Sequence, residues 1–173
     1  MISLNILFYI FVILFAVIGF IRGLRKEIVV VVSGILAVFI NEVIVNKVFP
    51  GTDNTKTLII NLLVLFVMAF FGYQTTAFRS LSESGKFERD SLLHMLLGGL
   101  TGALNGYIFF SSAWHYIAKA GYPFSWISAP DGASEVGAAA LKLLENSFPM
   151  VVSGTWLYIV FAVTVAVLLA VII

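Results

Sequence analysis

The 173-residue sequence contains no cysteine and few charged residues, and each scarcity excludes a class of protein. Without cysteine there are no disulfides, thiolate metal sites or cysteine nucleophiles. Charged residues make up 11% of the chain and the net charge is +1, whereas about a quarter of the residues in a soluble domain are charged. We therefore expect neither a soluble domain nor a nucleic-acid-binding protein, which carries a basic surface.

Long apolar runs take the place of charge, and 61% of the residues are hydrophobic. A helix of about 20 apolar residues crosses a bilayer. Five blocks have close to that length or more: 2–21, 28–45, 58–78, 91–118 and 150–173. The first block is too long for a cleaved signal peptide and lacks a basic start. We predict an all-α integral membrane protein, a bundle of about five transmembrane helices.

The only sizeable segment outside these blocks separates the last two. It begins with an aromatic stretch, 121–126, which suits a membrane interface. Apolar residues at helical spacing follow and predict a short amphipathic helix: Val136, Ala139, Ala140, Leu143 and Leu144. This helix lies either on the outer membrane surface or over the bundle. The predicted organisation is a four-span domain at 1–118, an outer loop with this helix at 119–149, and a fifth helix at 150–173.

Basic residues give the predicted orientation of the spans. They concentrate in the loops after the first and third blocks: Arg22, Arg25 and Lys26, then Arg79, Lys86 and Arg89. Positively charged short loops remain in the cytoplasm. The amino terminus is therefore predicted outside and the carboxyl terminus inside.

Three glycines in the fourth block, Gly98, Gly102 and Gly106, stand four residues apart. On a helix they share nearly one face, and in a membrane such a face lets another helix approach closely. Asn105 lies beside this face, near the middle of the span. Because an amide facing lipid would lack hydrogen-bond partners, Asn105 is expected to face protein. It either makes an interhelical hydrogen bond or belongs to a polar path.

A charged turn separates the first two blocks and contains five residues of interest: Arg22, Gly23, Arg25, Lys26 and Glu27. We expect it to fix the topology on the cytoplasmic side. Glu27 is predicted to pair with Arg22, with Arg25 or with a base of the second cytoplasmic loop. The alternative role of the turn is a docking point for a cytoplasmic partner or an anionic lipid.

The two histidines, His94 and His115, both lie in the fourth block. They are 21 residues apart, about 31 Å along a helix, so they cannot share one metal ion. Each is either a hydrogen-bonded interfacial residue or an axial ligand to a haem or a chlorophyll-type pigment. No cofactor or metal is predicted. No spacing of serine, histidine and acid indicates a hydrolase, and we expect no enzyme.

Two segments resemble the colicin V production protein family. Gly19-Phe-Ile-Arg-Gly-Leu-Arg-Lys-Glu27 is similar to that family's G-x-x-R-G-x-x-R/K-E turn. Leu93-His-Met-Leu-Leu-Gly-Gly-Leu-Thr-Gly-Ala-Leu-Asn-Gly106 resembles its L-D-R-x-x-G-x-x-x-G-x-x-R-G motif. Trp126-Ile-Ser128-Ala-Pro130 bears a weaker resemblance to its W-x-x-S region. The resemblance covers about residues 1–130.

The chain departs from the family pattern mainly at charged positions. His94, Met95 and Asn105 replace an aspartate and two arginines, and Asn5 stands where an early aspartate is usual. Arg89 and Asp90 are possible substitutes one helical turn earlier. The fifth span also exceeds the usual four.

The resemblance implies a bacterial inner-membrane protein linked to toxin export or envelope maintenance. It predicts a non-enzymatic protein that acts by helix assembly with itself or with membrane partners. One alternative is an accessory transmembrane subunit of a larger photosynthetic or respiratory complex. Another is a small channel or transporter formed by oligomerisation. Few polar residues are candidates to line its lumen: Asn61, Gln74 and Asn105.

Overall fold

The computed structural model describes residues 4–49, 53–74 and 91–172. The regular structure in these residues is helical, which confirms the all-α prediction for them. Seven helices follow in chain order: α1 (Leu4–Arg22), α2 (Leu24–Phe39), α3 (Asn54–Gln74), α4 (Ser91–Lys119), α5 (Glu135–Glu145), α6 (Phe148–Val151) and α7 (Thr155–Ile172). A π-helical segment, Ile40–Val45, continues α2, and a short helical turn, Asn46–Val48, follows it.

Four helical segments are long and apolar enough to cross a membrane. They correspond to the first four predicted blocks: Leu4–Arg22, Leu24–Val45, Asn54–Gln74 and Leu92–Lys119. Their lengths are 19, 22, 21 and 28 residues. At about 1.5 Å per residue such helices approach or exceed the thickness of a bilayer's hydrocarbon core.

The fifth predicted span differs from the structure. Residues 150–173 were expected to form one helix, but Met150 belongs to the four-residue helix α6 and α7 begins only at Thr155. Gly154 separates the two helices with φ 57°, a left-handed conformation that ends helical geometry. Helix α7 itself has 18 residues, Thr155–Ile172. The Ser153-Gly154 dipeptide inside the apolar run is typical of a turn, and the prediction of one continuous helix overlooked it.

Local interactions set the other helix boundaries. Gly23 has φ 81° and divides α1 from α2, while Asp53 Oδ1 accepts a hydrogen bond from the backbone N–H of Thr55 (3.3 Å) at the start of α3. This helix begins four residues before the predicted 58.

Several predicted features lie outside the described residues. These are the last part of the third block, 75–78, and the charged residues of the second basic loop, Arg79, Lys86, Arg89 and Asp90.

Helix α4 is the central element of the bundle and contacts α1, α2 and α3. Its buried residues Trp114, Tyr116 and Ile117 belong to a core cluster that also contains Leu58 and Leu65 of α3. Helix α7 packs against α2, where the rings of Phe39 and Phe161 stack with centroids 3.8 Å apart. The faces of α1 and α3 turned away from α4 carry large exposed apolar side chains, as expected for surfaces in contact with lipid.

Helix α5 packs over one end of the bundle. Of the five residues expected on its apolar face, Ala140 is buried in the core cluster, and Leu143 and Leu144 are partly buried against it. Val136 and Ala139 are exposed. The helix starts at an N-cap, because Ser134 Oγ accepts a hydrogen bond from the Gly137 N–H (3.0 Å). The contacts thus favour the second of the two expected placements, over the bundle.

Candidate functional site

The glycine face of α4 lies directly against α1. A Cβ atom added to Gly102 would overlap the carbonyl oxygen of Phe15 and lie 2.9 Å from the Gly19 Cα. One added to Gly106 would lie 2.9 Å from the Val12 Cα. A Cβ on Gly98 would overlap the carbonyl oxygen of Gly19. Gly19 is therefore the partner of the ladder on α1, and the two backbones touch along this contact.

This close contact brings the charged turn after α1 beside the middle of α4. Glu27, in the first turn of α2, is completely buried. Asn105, also completely buried, donates from Nδ2 to Glu27 Oε2 (2.8 Å) and to the Glu27 backbone carbonyl (3.1 Å). The glycine face and the charged turn, 70 or more residues apart in the sequence, thus form one structural unit.

Two further helices complete the surroundings of Glu27. Arg22, at the end of α1, places Nε 3.3 Å from Glu27 Oε1. Tyr73 of α3 donates its hydroxyl to Glu27 Oε2 (3.4 Å). The Arg22 guanidinium also lies over the Tyr73 ring, 4.3 Å from the centroid, and donates to the Tyr73 carbonyl oxygen (3.4 Å). We call Arg22, Glu27, Tyr73 and Asn105 the Glu27 cluster.

The Glu27 cluster surrounds the buried carboxyl group with one cationic side chain and two hydrogen-bond donors. A buried carboxylate needs a counter-charge and hydrogen-bond donors to offset its lost hydration. Arg22, with a side chain 22% exposed, supplies the charge, and Asn105 and Tyr73 supply the donors. Glu27 also lies in the first turn of α2, where the helix dipole stabilises a negative charge. The cluster ties α1, α2, α3 and α4 together through one side chain.

The predicted residues of the turn separate into two groups. Arg22 and Glu27 come together, as one of the expected pairings proposed, while Lys26 is exposed. Gly23 has a φ of 81°, a backbone conformation that would be strained for any other residue. Arg25 is partly buried and does not appear in the Glu27 cluster.

A second group of polar residues lies towards the other end of α2, α3 and α4. Asn41, in the π-helical segment, donates from Nδ2 to the Asn61 carbonyl oxygen of α3 (3.1 Å). Tyr116 of α4 turns its hydroxyl towards Asn41 and Glu42, and Ser112 lies one helical turn before it. We call these five residues the Asn41 cluster. A π-helical segment often marks a functional position because the extra residue widens the helical turn.

The two histidines lie apart and in different surroundings. His115 is half-buried beside the Asn41 cluster, with Nδ1 3.4 Å from Ser147 Oγ and its ring against Tyr116. His94 is half-buried near the other end of α4. In the part of the chain that the structure describes, no three His, Cys, Asp or Glu residues come together to hold a metal ion.

The loop after α4 covers a small cavity of about 190 Å³ beneath α5. Asn5, Trp114 and Asp131 are among the residues that line it. Trp114 is buried and donates from Nε1 to the Tyr122 hydroxyl (3.2 Å). Burial raises the pKa of that hydroxyl above its usual value, and the hydrogen bond from Trp114 partly opposes this effect. The cavity holds no constellation of acid, base and nucleophile.

Sequence reasoning did not identify Tyr73 as a site residue, and of the Asn41 cluster it named only Asn61, as a candidate to line a lumen. Tyr73 stands at the end of an apolar block, where an aromatic residue is ordinarily an interfacial anchor. Asn41 and Asn61 are single amides within apolar runs, and this signal was available. What the sequence did not show is that the Asn41 side chain hydrogen-bonds to the Asn61 backbone carbonyl of the neighbouring helix. The sequence matches no protein-family model, and no curated protein or solved structure matches the chain.

Proposed function

We propose that this chain is a non-enzymatic, polytopic protein of the bacterial inner membrane, related to the colicin V production proteins. It acts by helix assembly with itself or with membrane partners in export or envelope maintenance. The amino terminus lies outside and the carboxyl terminus inside.

One observation supports the relationship more than any other. The two segments that resemble the family motifs meet in space, through the hydrogen bond from Asn105 to Glu27 (2.8 Å) and the backbone contact of Gly19 with Gly98 and Gly102. A motif pair that forms one contact unit has a physical reason to occur together. Chance similarity of two glycine-rich helix ends would not require them to touch.

The same contact gives a physical account of one departure from the family pattern. An arginine at position 105 would approach Glu27 with a charge, whereas Asn105 approaches with a neutral donor. In this chain Arg22 supplies the positive charge, 3.3 Å from the carboxylate. The Glu27 cluster would therefore correspond to a feature of the family that lacks, in this chain, the positive charge at position 105.

The assembly role is supported by the distribution of polar and apolar side chains in the bundle. The polar side chains considered for an oligomeric lumen, Asn61 and Asn105, are buried inside one protomer, so a channel between protomers receives no support from them. Gln74 is exposed at the end of α3. The outward faces of α1 and α3 are apolar and suit contact with lipid or other helices.

Gentle purification tests the assembly role. The full chain is isolated in mild detergent from its membrane, and the accompanying proteins are identified and counted by mass spectrometry. Additional copies of the chain, or stoichiometric export or envelope proteins, support the proposal. Stoichiometric subunits of a respiratory or photosynthetic complex support the accessory-subunit alternative instead. A monomer that carries nothing contradicts both.

The absence of cysteine makes the topology directly measurable. Single cysteines are introduced by Ser84→Cys and Ala133→Cys, and intact cells are treated with a membrane-impermeant maleimide. We expect labelling of the Ala133 variant, whose position is exposed in the loop before α5, and labelling of the Ser84 variant only after permeabilisation. Labelling of the Ser84 variant in intact cells contradicts the orientation.

A further inference from the structure

The Asn41 cluster contains buried oxygen atoms without hydrogen-bond partners. Asn41 is 1% exposed, Asn61 is 4% exposed and Ser112 is fully buried. Among the described residues, Oδ1 of Asn41, Oδ1 of Asn61 and Oγ of Ser112 make no hydrogen bond. An amide oxygen can only accept, so each of these amides needs a donor or a cation. In an apolar surrounding, an unsatisfied oxygen is costly.

Contacts between the surrounding elements bring these residues to one level of the bundle. The hydrogen bond from Asn41 to the Asn61 carbonyl (3.1 Å) joins the π-helical segment to α3. The Tyr116 hydroxyl faces Asn41 and Glu42 and joins α4 to the same segment. Ser112 lies on the same face of α4, one turn deeper in the bundle.

The geometry points to a binding site for a monovalent alkali cation, held by oxygens of Asn41, Asn61 and Ser112, with the Tyr116 hydroxyl and the Glu42 carboxylate beside them. Amide, hydroxyl and carboxylate oxygens are the donors that hard cations take. Glu42 contributes the only negative charge of the cluster, which balances one positive charge rather than two. Irregular helical backbone within a spanning segment is a recurrent setting for sodium in membrane proteins.

The site has a closed side and a more accessible side. Ser147 and Phe148 cover the end of α4, where the Phe148 N–H donates to Ser111 Oγ (3.0 Å) and Ser147 contacts His115. Glu42 and His115 are only partly buried. A cation therefore enters past Glu42 rather than through the apolar core.

Thermal unfolding of the purified full chain in detergent tests this site. Unfolding is followed by tryptophan fluorescence in sodium, potassium or choline chloride at equal ionic strength. Bound sodium stabilises only the folded state, and at a hundredfold excess over its dissociation constant we expect Tm to rise by about 5–10 °C relative to choline. Equilibrium binding of radioactive sodium to the same sample is expected to saturate at one ion per chain.

Two neighbouring serines provide matched variants. Ser112→Ala removes an oxygen of the site, whereas Ser111→Ala removes a hydroxyl that is already hydrogen-bonded to Phe148. Both serines are buried on α4, at 0% and 2% exposure. We expect the Ser112 variant to bind sodium at least tenfold more weakly and to lose the Tm response. The Ser111 variant should lower Tm in every salt and keep the response.

Three results would overturn the assignment. Equal Tm in sodium, potassium and choline chloride, with no saturable sodium binding, means that ordered water satisfies these oxygens. Stabilisation by calcium or magnesium alone contradicts a monovalent site. A sodium response that survives Ser112→Ala and disappears in Ser111→Ala places the ion elsewhere.

Discussion

Replacing Gly102 with alanine tests the contact between α1 and α4 with the smallest possible perturbation. The added Cβ would overlap the Phe15 carbonyl oxygen and lie 2.9 Å from the Gly19 Cα. Both are backbone atoms of the opposite helix, so no side-chain rotation relieves the overlap. The two helices must separate, and this movement also weakens the contacts of Gly98 and Gly106.

The expected magnitude follows from two opposing effects. Overpacking a close contact costs about 1–3 kcal/mol, and the rigid backbone here favours the upper half of that range. Alanine is a better helix former than glycine by up to about 1 kcal/mol. The net loss for Gly102→Ala is therefore about 1–2 kcal/mol.

Gly99→Ala is the matched control on the same helix. Its Cβ would lie 3.5 Å from the Ala16 carbonyl oxygen, an ordinary contact, so only the gain in helix propensity remains. The two variants should differ by about 2–3 kcal/mol, or roughly 5 °C or more in Tm for a chain of this size. Thermal unfolding in detergent, followed by circular dichroism and tryptophan fluorescence, measures this difference. Equal Tm values for the two variants would show that α1 and α4 do not touch at Gly102.

Variants at three further positions test other contacts. Glu27→Ala leaves Arg22 and Asn105 without their partner and should lower the free energy of unfolding by about 3–5 kcal/mol. Glu27→Gln should cost less because its amide oxygen still accepts hydrogen bonds. Equal losses for the two variants in chemical denaturation would contradict the hydrogen-bonded arrangement. Ser134→Ala removes the N-cap of α5 and should cost about 0.5–2 kcal/mol locally, seen as faster amide exchange in α5 while exchange in α4 stays unchanged. Tyr107→Phe removes the 2.6 Å hydrogen bond to the Asn146 carbonyl and should lower stability by about 0.5–1.5 kcal/mol; an unchanged Tm would contradict this bond.

Much of the fold was predictable because apolar length is a local property of the sequence. The first four blocks correspond to the four spanning-length helices, and the periodicity of Val136 to Leu144 predicts α5. The start of the fifth block was predicted less well. Ser153-Gly154 is typical of a turn, but the length of the apolar run outweighed this signal in the prediction, and a left-handed Gly154 separates α6 from α7 there.

In the candidate sites, too, local features were predictable and contacts between distant segments were not. The glycine spacing and the amide at 105 predict a buried face with a hydrogen bond to another helix, because period and polarity can be read from one segment. Which helix receives the bond cannot be read in this way. Glu27 had several possible partners in the sequence, and Tyr73 had no visible role.

The sequence by itself determined that the described chain folds into apolar helices and that these helices begin near charged residues or glycine. It also determined that one face of α4 is lined by glycine. These properties follow from hydropathy and from the 3.6-residue period of a helix. Only the tertiary structure decided that α1 lies against that face, that Arg22, Tyr73 and Asn105 converge on Glu27, and that Asn41 and Asn61 share the opposite end. Pairing between distant segments depends on the packing of complementary surfaces, and no single segment encodes its partner.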